Sequence, residues 1–413
     1  MARTRADDAC PGALQLHQAA DGALARVRLP GGMLGAAELH ALAVIAVEFG
    51  SGTLELTTRS SLQVRGIAPG DEAAVAAAVA AAGLLPAPAH ERVRNIIASP
   101  LTGRSGGDRD VRDWVRDLDA AIGADPDLAA LPGRFLFALD DGRGDVAGLG
   151  ADVGARACAD GSAALLLGGA DTGLRLAPET VVDTLIAVAR RFLAVRATAW
   201  RVTELPDAAA LLDGLTPADG AAIRPDRGAR VPVAGGPPVG WIDQDRPAGL
   251  VSLGAAVPLG VLPARTAEFL AAIEAPLVVT PWRSVLVCDL TEAIADTALR
   301  VLAPMGLVFD AGSRWLSVSA CTGSPGCAKS RADVRADAAA VVAGGPIHLD
   351  GGVVEGPAVN EVRRLHLVGC ERACGNPHDG RLLIATGSGY RPEPDPAAAL
   401  DGSAAAGPAQ QAP

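Results

Sequence analysis

The sequence predicts an α+β fold organised as an internal pseudo-two-fold repeat. Three observations carry that expectation: a strand–turn–strand pattern that occurs twice, helical stretches in the same order around each copy, and a Pro/Gly-rich segment between them. The first copy opens with a short strand ending at a Pro/Gly turn, "ALARVRLPGG", followed by the Ala/Leu-rich helical stretch "AAELHALAVIAVEF". Residues 54–67, "LELTTRSSLQVRGI", then alternate apolar and other residues on either side of a Thr/Arg-bearing turn, and the helical stretch "GDEAAVAAAVAAAGL" follows. The second copy repeats this order with "GLVSLGAAVPLG", "PARTAEFLAAIEA", "LVVTPWRSVLVCDL" at 277–290 and "LTEAIADTALRVLAPMGL". The shared β-α-β-β-α order is that of a ferredoxin-like half-domain, which places one at residues 20–90 and the other at 241–309.

Two further α/β units are expected. Residues 91–204 hold "ERVRNIIASPLTGR", the acidic and Arg-rich helix "DRDVRDWVRDLDAAI", strands in "GRFLFALDDGRGDVAG" and "AALLLGG", and the helix "PETVVDTLIAVARRFLAV". Residues 310–390 hold a helix in "KSRADVRADAAAVVAGG" and strands in "RRLHLVG" and "RLLIATG". The Pro/Gly/Ala/Asp-dense stretch 205–240 reads as a linker between two pseudo-equivalent halves, and 391–413 as a low-complexity, disordered tail.

Composition limits the function classes. With 49% hydrophobic and 20% charged residues the chain can bury substantial cores, and a net charge of −11 argues against bulk affinity for nucleic acid or anionic membrane. An anionic ligand must then be met by local arginines, since Lys329 is the one lysine. No signal peptide or membrane span is expected, which points to the cytoplasm.

Seven cysteines in such a chain read as metal ligands or buried thiols rather than disulfides. Cys10, Cys158 and Cys288 stand apart without ligand spacing and read as terminal or buried small residues. The last four do not. Cys321 and Cys327 form a C-x5-C pair in "SACTGSPGCAKS", and Cys370 and Cys374 a C-x3-C pair in "LVGCERACGNPHDG", both in loops after a strand and among small residues. Four thiolates so placed suit an iron–sulfur cubane, which takes one cysteine per iron; a structural zinc on all four is the alternative, although such sites favour two- to four-residue spacing.

This cysteine pattern behind two ferredoxin-like repeats resembles the sirohaem-type sulfite and nitrite reductase superfamily over nearly the whole chain. The resemblance implies two reductase-type α/β units added to the half-domains around a central cleft. It implies a [4Fe–4S] cluster on Cys321, Cys327, Cys370 and Cys374, the last at the position that bridges cluster and sirohaem iron. It also implies tetrapyrrole-carboxylate contacts at Arg59 and Arg65 of "TTRSSLQVRG" and at Arg94 and Asn95 of "RN", with Arg104 and Arg134 as further candidates.

Sulfite and nitrite reductases carry two lysines in a segment Leu-Pro-x-Lys-Phe-Lys. Here "LPGRFLF" puts Arg134 at the first and Leu136 at the second, and the loss of that cation argues against oxyanion reduction. With "ACTGSPGCA", "SPLTG" and "TPWR", the chain is more similar to the precorrin-3B synthases, the cobalamin-pathway branch. That resemblance implies an oxygen-dependent monooxygenase that hydroxylates precorrin-3A and closes a γ-lactone, with the tetrapyrrole as substrate. NADH is the indirect electron source through a separate reductase or ferredoxin, since no Gly-rich dinucleotide loop follows a strand. His366 and His378 are candidate ligands of a mononuclear iron; no catalytic acid or base stands out. The alternatives are a sirohaem-dependent sulfite or nitrite reductase, and a non-catalytic iron–sulfur carrier or sensor.

Overall fold

A computed structural model of the chain describes residues 10–215, 231, 234–350, 352–354, 364–376 and 380–393. It separates into two compact units, Met1–Leu316 and Ser317–Pro413.

In the first unit each repeat builds a five-stranded sheet, and the two sheets match strand for strand. One has the order His17–Ala19, Gly22–Val27, Leu62–Ile67, Thr53–Leu56, Val261–Pro263; the other runs Gly240–Asp245, Ala248–Ala256, Ser284–Leu290, Leu277–Val279, Met33–Leu34. The fifth strand of each sheet comes from the opposite repeat: Leu262 pairs with Leu54, and Leu34 with Leu277. Gly32 makes the crossing possible. At φ +73° it sits where a Cβ would fall 1.9 Å from the Val279 carbonyl oxygen, so only glycine lets the first repeat pass that close to the second.

The helices Ala36–Phe49, Glu72–Ala81, Ala264–Ala271 and Glu292–Leu302 form where the Ala- and Leu-rich stretches place them. Glu38 reaches back to the Gly35 N–H at 2.7 Å, and the Thr291 hydroxyl accepts from the Ile294 N–H, so two helix starts satisfy donors that would otherwise be orphaned. Leu39, Leu42, Leu270 and Ala295 from these helices share one core with Leu54, Val64, Leu253 and Val287 of both sheets. The two repeats therefore bury their apolar faces together, as the strand exchange requires.

The same unit holds a third sheet, ordered Ala170–Leu176, Ala163–Leu167, Val153–Ala157, Phe137–Asp140, Ile96–Ala98, of which the last three are parallel. Five strands stand where the sequence suggested two. Helices Arg112–Ala124 and Val181–Val195 cover one face, packing Trp114, Leu118, Ile122, Leu185 and Phe192 around Phe135 and Phe137. Ile97 and Ala138 alternate to the other face and join Leu136, Val146 and Ala151 in a small apolar cluster.

Three buried acids, Asp140, Asp141 and Asp145, lie where the strand Phe137–Asp140 ends. Asp140 is consumed by the loop itself, accepting from the Gly142, Gly144, Val146 and Ala147 N–H groups, and Asp141 pairs with Arg143. Burial, followed by the neighbouring Asp140 charge, pushes the Asp145 carboxyl up to about 7. The folded chain thus holds a proton that the unfolded chain releases between pH about 4 and about 7, so this group's contribution to stability falls as pH rises through that window, by up to about 1.4 kcal/mol per pH unit. Asp145→Asn keeps an acceptor for the Ser99 hydroxyl, which donates to Asp145 at 2.6 Å. Urea midpoints should show the variant gaining on the parent as pH rises from 5 to 7.5; a gain that is the same at both pH values would contradict the assignment.

The second unit is a six-stranded mixed sheet, ordered Val318–Ala320, Leu365–Val368, Arg381–Ala385, Tyr390–Pro392, Ile347–Leu349, Gly352–Val354, with the helix Val334–Val342 packed on it. Its first three strands are parallel. Asp333 starts the helix by accepting from the Ala336 N–H at 3.1 Å. Two expected irregular segments are more ordered than composition suggests where they are described. Val202 and Leu211, in short helical turns around the start of the proposed linker, are buried in the core of the third sheet, and the strand Tyr390–Pro392 runs into the expected tail. The remainder of the linker, 216–230 and 232–233, and of the tail, 394–413, lies outside the described residues. Among the described residues no helix is long and apolar enough to cross a membrane.

Candidate functional site

In the second unit, both cysteine pairs sit in loops leaving adjacent parallel strands. Cys321 follows Val318–Ala320 and donates its N–H to the Leu367 carbonyl at 3.0 Å, while Cys370 follows Leu365–Val368. Gly369 turns its N–H onto the Cys321 Sγ at 3.4 Å. Gly323, at φ +71°, lets the first loop double back against the next helix, where a Cβ would meet Val334 Cγ2 at 2.7 Å. The four thiols feel one another. Burial pushes Cys321 up against the Gly369 and Gly323 N–H groups that hydrogen-bond it, with Cys327 and Cys370 adding smaller upward contributions; burial also pushes Cys374 up, against a nearby Arg372 and with Cys321, Cys370 and Cys327 adding to it.

Spacing separates the two metal readings. Among the described residues the one triple of potential ligand atoms lying within 4.8 Å of one another is Asp140, Asp141 and Asp145, so no three of these sulfurs approach that closely. A tetrahedral zinc with Zn–S near 2.3 Å needs sulfurs about 3.8 Å apart. The donor set is soft, mutually repelling and more widely spaced than a single zinc ion demands, which fits a larger iron–sulfur cage.

His366, a candidate iron ligand, has both ring nitrogens engaged within the fold. Its ring is fully buried, with Nδ1 2.8 Å from the Ser319 hydroxyl and Nε2 3.0 Å from the Cys374 carbonyl oxygen. Because a carbonyl can only accept, Nε2 carries the proton and Nδ1 faces the hydroxyl, so a mononuclear iron would have to displace one of these two partners. The histidine instead anchors the second cysteine loop to the sheet. His378 lies outside the described residues.

In the first unit the six residues singled out by resemblance divide sharply. Arg65 forks onto Asp21 at 2.8 and 3.0 Å, Arg94 onto Asp119 at 2.7 Å twice, and Arg104 onto Asp289 at 2.9 Å twice. Each of these guanidinium forks is already bidentate to an internal carboxylate and brings no uncompensated charge to a ligand. Asn95 is a buried clamp that accepts from Arg28 Nε at 3.0 Å and donates to the Arg92 and Gly133 carbonyls. Arg134 is exposed and lies over the Trp200 ring at 5.7 Å.

Arg59 differs. Its Nη1 donates to the Gly133 carbonyl at 3.3 Å, and no ion pair to it is seen among the described residues. Burial, then the charge of Arg201, lowers it to about 10. Arg28, from the strand end in "ARVRLPGG", was missed by sequence reasoning. It is 3% exposed, donates from Nη1 to the Pro11 carbonyl at 2.8 Å, and keeps Nη2 buried without a hydrogen-bond partner among the described residues. Burial, then Arg26, lowers it to about 9. Arg201 joins them from beyond the helix Val181–Val195, with its own partner in the buried Asp152 at 2.7 Å. Arg28, Arg59 and Arg201, with Arg26 beside Arg28, thus form a partly buried cluster in which neighbouring guanidiniums add to the effect of burial. The signal that could have found Arg28 was present: Arg26 and Arg28 are two residues apart on one strand approach and so share a face.

Leu136 stands beside this cluster. Its side chain is 5% exposed and packs in the cluster of Ile97, Ala138, Val146 and Ala151, with Trp282 against it. The position is a piece of apolar wall.

Residues 17–82 match the nitrite/sulfite reductase ferredoxin-like half domain. Across 92% of its length the chain is 26% identical to a precorrin-3B synthase of Sinorhizobium sp, covering 81% of that protein. A shorter segment, 29% of the chain, is 32% identical to a ferredoxin–nitrite reductase of Synechococcus elongatus, but spans a quarter of it, 25%. Among solved structures, the Mycobacterium tuberculosis NirA protein superposes with a TM-score of 0.68 over 90% of this chain and 73% of its own, at 21% identity. The chain has the nitrite/sulfite reductase-type fold, and its sequence resembles precorrin-3B synthase and the nitrite and sulfite reductases of that superfamily.

Proposed function

We propose that this oxidoreductase acts on a polycarboxylate tetrapyrrole as a precorrin-3B synthase, hydroxylating precorrin-3A with molecular oxygen and closing a γ-lactone. The observation that carries the reading is the arginine cluster of the first unit. Buried guanidiniums depressed by one another are held at a cost in stability, and a bound carboxylate relieves both the burial and the repulsion. Arg28 and Arg59 grip the substrate's carboxylates, and Arg201 adds positive field while held by Asp152. Cys321, Cys327, Cys370 and Cys374 would hold a [4Fe–4S] cluster, which supplies single electrons when bound. Overall, two electrons and two protons accompany each O2, one oxygen atom entering the product and the other leaving as water. NADH supplies the electrons through a separate reductase or ferredoxin.

The nitrite and sulfite reductase relatives raise the competing reading of a sirohaem enzyme. The apolar burial of Leu136 weighs against it, because a leucine inside a hydrophobic cluster cannot protonate or neutralise a reacting oxyanion. With a strong chemical donor the protein should reduce sulfite or nitrite at about a tenth to a hundredth of an authentic reductase's rate, since a missing charge-assisted contact of about 1.5–3 kcal/mol costs 10- to 100-fold. Given precorrin-3A, it should form product with oxygen and none without, with one ¹⁸O atom retained from labelled O2. Sirohaem bands in the purified protein together with rapid nitrite turnover would reverse the assignment.

A further inference from the structure

The two repeats offer different side chains at the same point. Residues 57–61, Thr-Thr-Arg-Ser-Ser, and 280–284, Thr-Pro-Trp-Arg-Ser, occupy equivalent turns of the two matching sheets. The backbones agree: Ser60 and Arg283 both adopt left-handed φ values, 54° and 58°. The threonine hydroxyls repeat as well, Thr57 Oγ1 accepting from Ser61 N–H at 3.1 Å and Thr280 Oγ1 from Ser284 N–H at 3.4 Å. The counterpart of Arg59 is therefore Trp282.

Both residues reach the same segment. Arg59 donates to the Gly133 carbonyl, and Trp282 packs in the cluster around Leu136, three residues further along. Among the described residues the buried indole Nε1 has no hydrogen-bond partner, nor has Nη2 of Arg28, whose Nε connects to Gly133 through Asn95. Two buried donors without acceptors, one cationic and one neutral, flank a single stretch of chain. Buried polar groups are rarely left unpaired, and a ligand that accepts from both accounts for the pair.

We propose that Trp282 is a specificity-determining residue, its indole N–H donating to a peripheral oxygen of the bound tetrapyrrole other than those held by Arg28 and Arg59, and its ring forming with Leu136 a wall against the macrocycle. The pseudo-two-fold thus becomes a division of labour: the first repeat holds charge, and the second holds a neutral, apolar edge with one hydrogen bond. This rests on the tetrapyrrole reading above and goes beyond it in naming the second contact.

The test uses the anaerobically purified protein and uroporphyrin III, an air-stable octacarboxylate stand-in for precorrin-3A, titrated by porphyrin fluorescence, with precorrin-3A as confirmation. Trp282→Phe keeps the ring against Leu136 and removes only the donor. It should weaken binding about three- to tenfold at an unchanged thermal midpoint, and Trp282→Ala should weaken it further. Arg59→Ala serves as the arm for the underlying reading. If Arg59→Ala binds weakly while Trp282→Phe binds as the parent does, the inference fails and the tetrapyrrole site stands. If Arg59→Ala and Trp282→Phe both bind as tightly as the parent, the site itself has been misplaced.

Discussion

Cys327→Ala yields protein with little iron or acid-labile sulfide and no turnover, the largest effect expected of any single substitution here. A cubane uses one cysteine per iron, and the remaining three thiols are spaced too widely to close on a single ion. The same change at Cys321, Cys370 or Cys374 should do likewise. Cys158→Ala is the internal control: its thiol sits in the turn after Val153–Ala157, 3.7 Å from the Arg156 carbonyl, in the other unit. Iron and sulfide analysis with an anaerobic absorption spectrum would decide it. Full cluster content in Cys327→Ala protein would remove these four sulfurs as ligands.

Arg59→Ala separates affinity from stability. Losing a charge-assisted carboxylate contact of about 1.5–3 kcal/mol weakens tetrapyrrole binding by about 10- to 100-fold. The fold should not suffer, because burial and Arg201 already hold this guanidinium below its ordinary range, and removing it relieves that cost. The thermal midpoint should stay level or rise. Arg65→Ala should behave in the opposite way: its fork onto Asp21 ties the strand Leu62–Ile67 to the hairpin before it, so stability falls while affinity changes little. Arg116→Ala, exposed on the helix Arg112–Ala124 and paired with Asp113, should change neither. An Arg59→Ala protein that binds as the parent does would place the carboxylates elsewhere.

The repeated strand pairs were legible from their alternation, and the helices from Ala- and Leu-rich runs or, as at Val181–Val195, from an apolar period. Ala36–Phe49 and Val181–Val195 are covered by stretches read directly from the sequence. Ile96–Ala98 and Val153–Ala157 were not: they lie in a parallel sheet covered on both faces, where the alternation that marks a half-buried strand disappears. The candidate arginines divide in a way the sequence does not show. Nothing near Arg65, Arg94 or Arg104 in the sequence announces Asp21, Asp119 or Asp289, which lie 44, 25 and 185 residues away. Motif position identified arginines of the right region but could not tell a neutralised fork from one still short of an anion. The cysteine pairs stood out because each loop carries both of its thiols within a few residues.

The exchanged edge strands also set a timetable. The strand Thr53–Leu56 receives its neighbour from Val261–Pro263, which leaves the ribosome roughly 200 residues later. At about 5–20 residues per second, that is about 10–40 s during which the first sheet has an open edge. Its backbone donors and acceptors are available over that interval to any other extended chain, including a second nascent copy. Slow or stalled synthesis between the repeats therefore threatens yield more than the mature protein's stability would suggest, and polysome-associated chaperones that cover open sheet edges have their natural target in the first repeat.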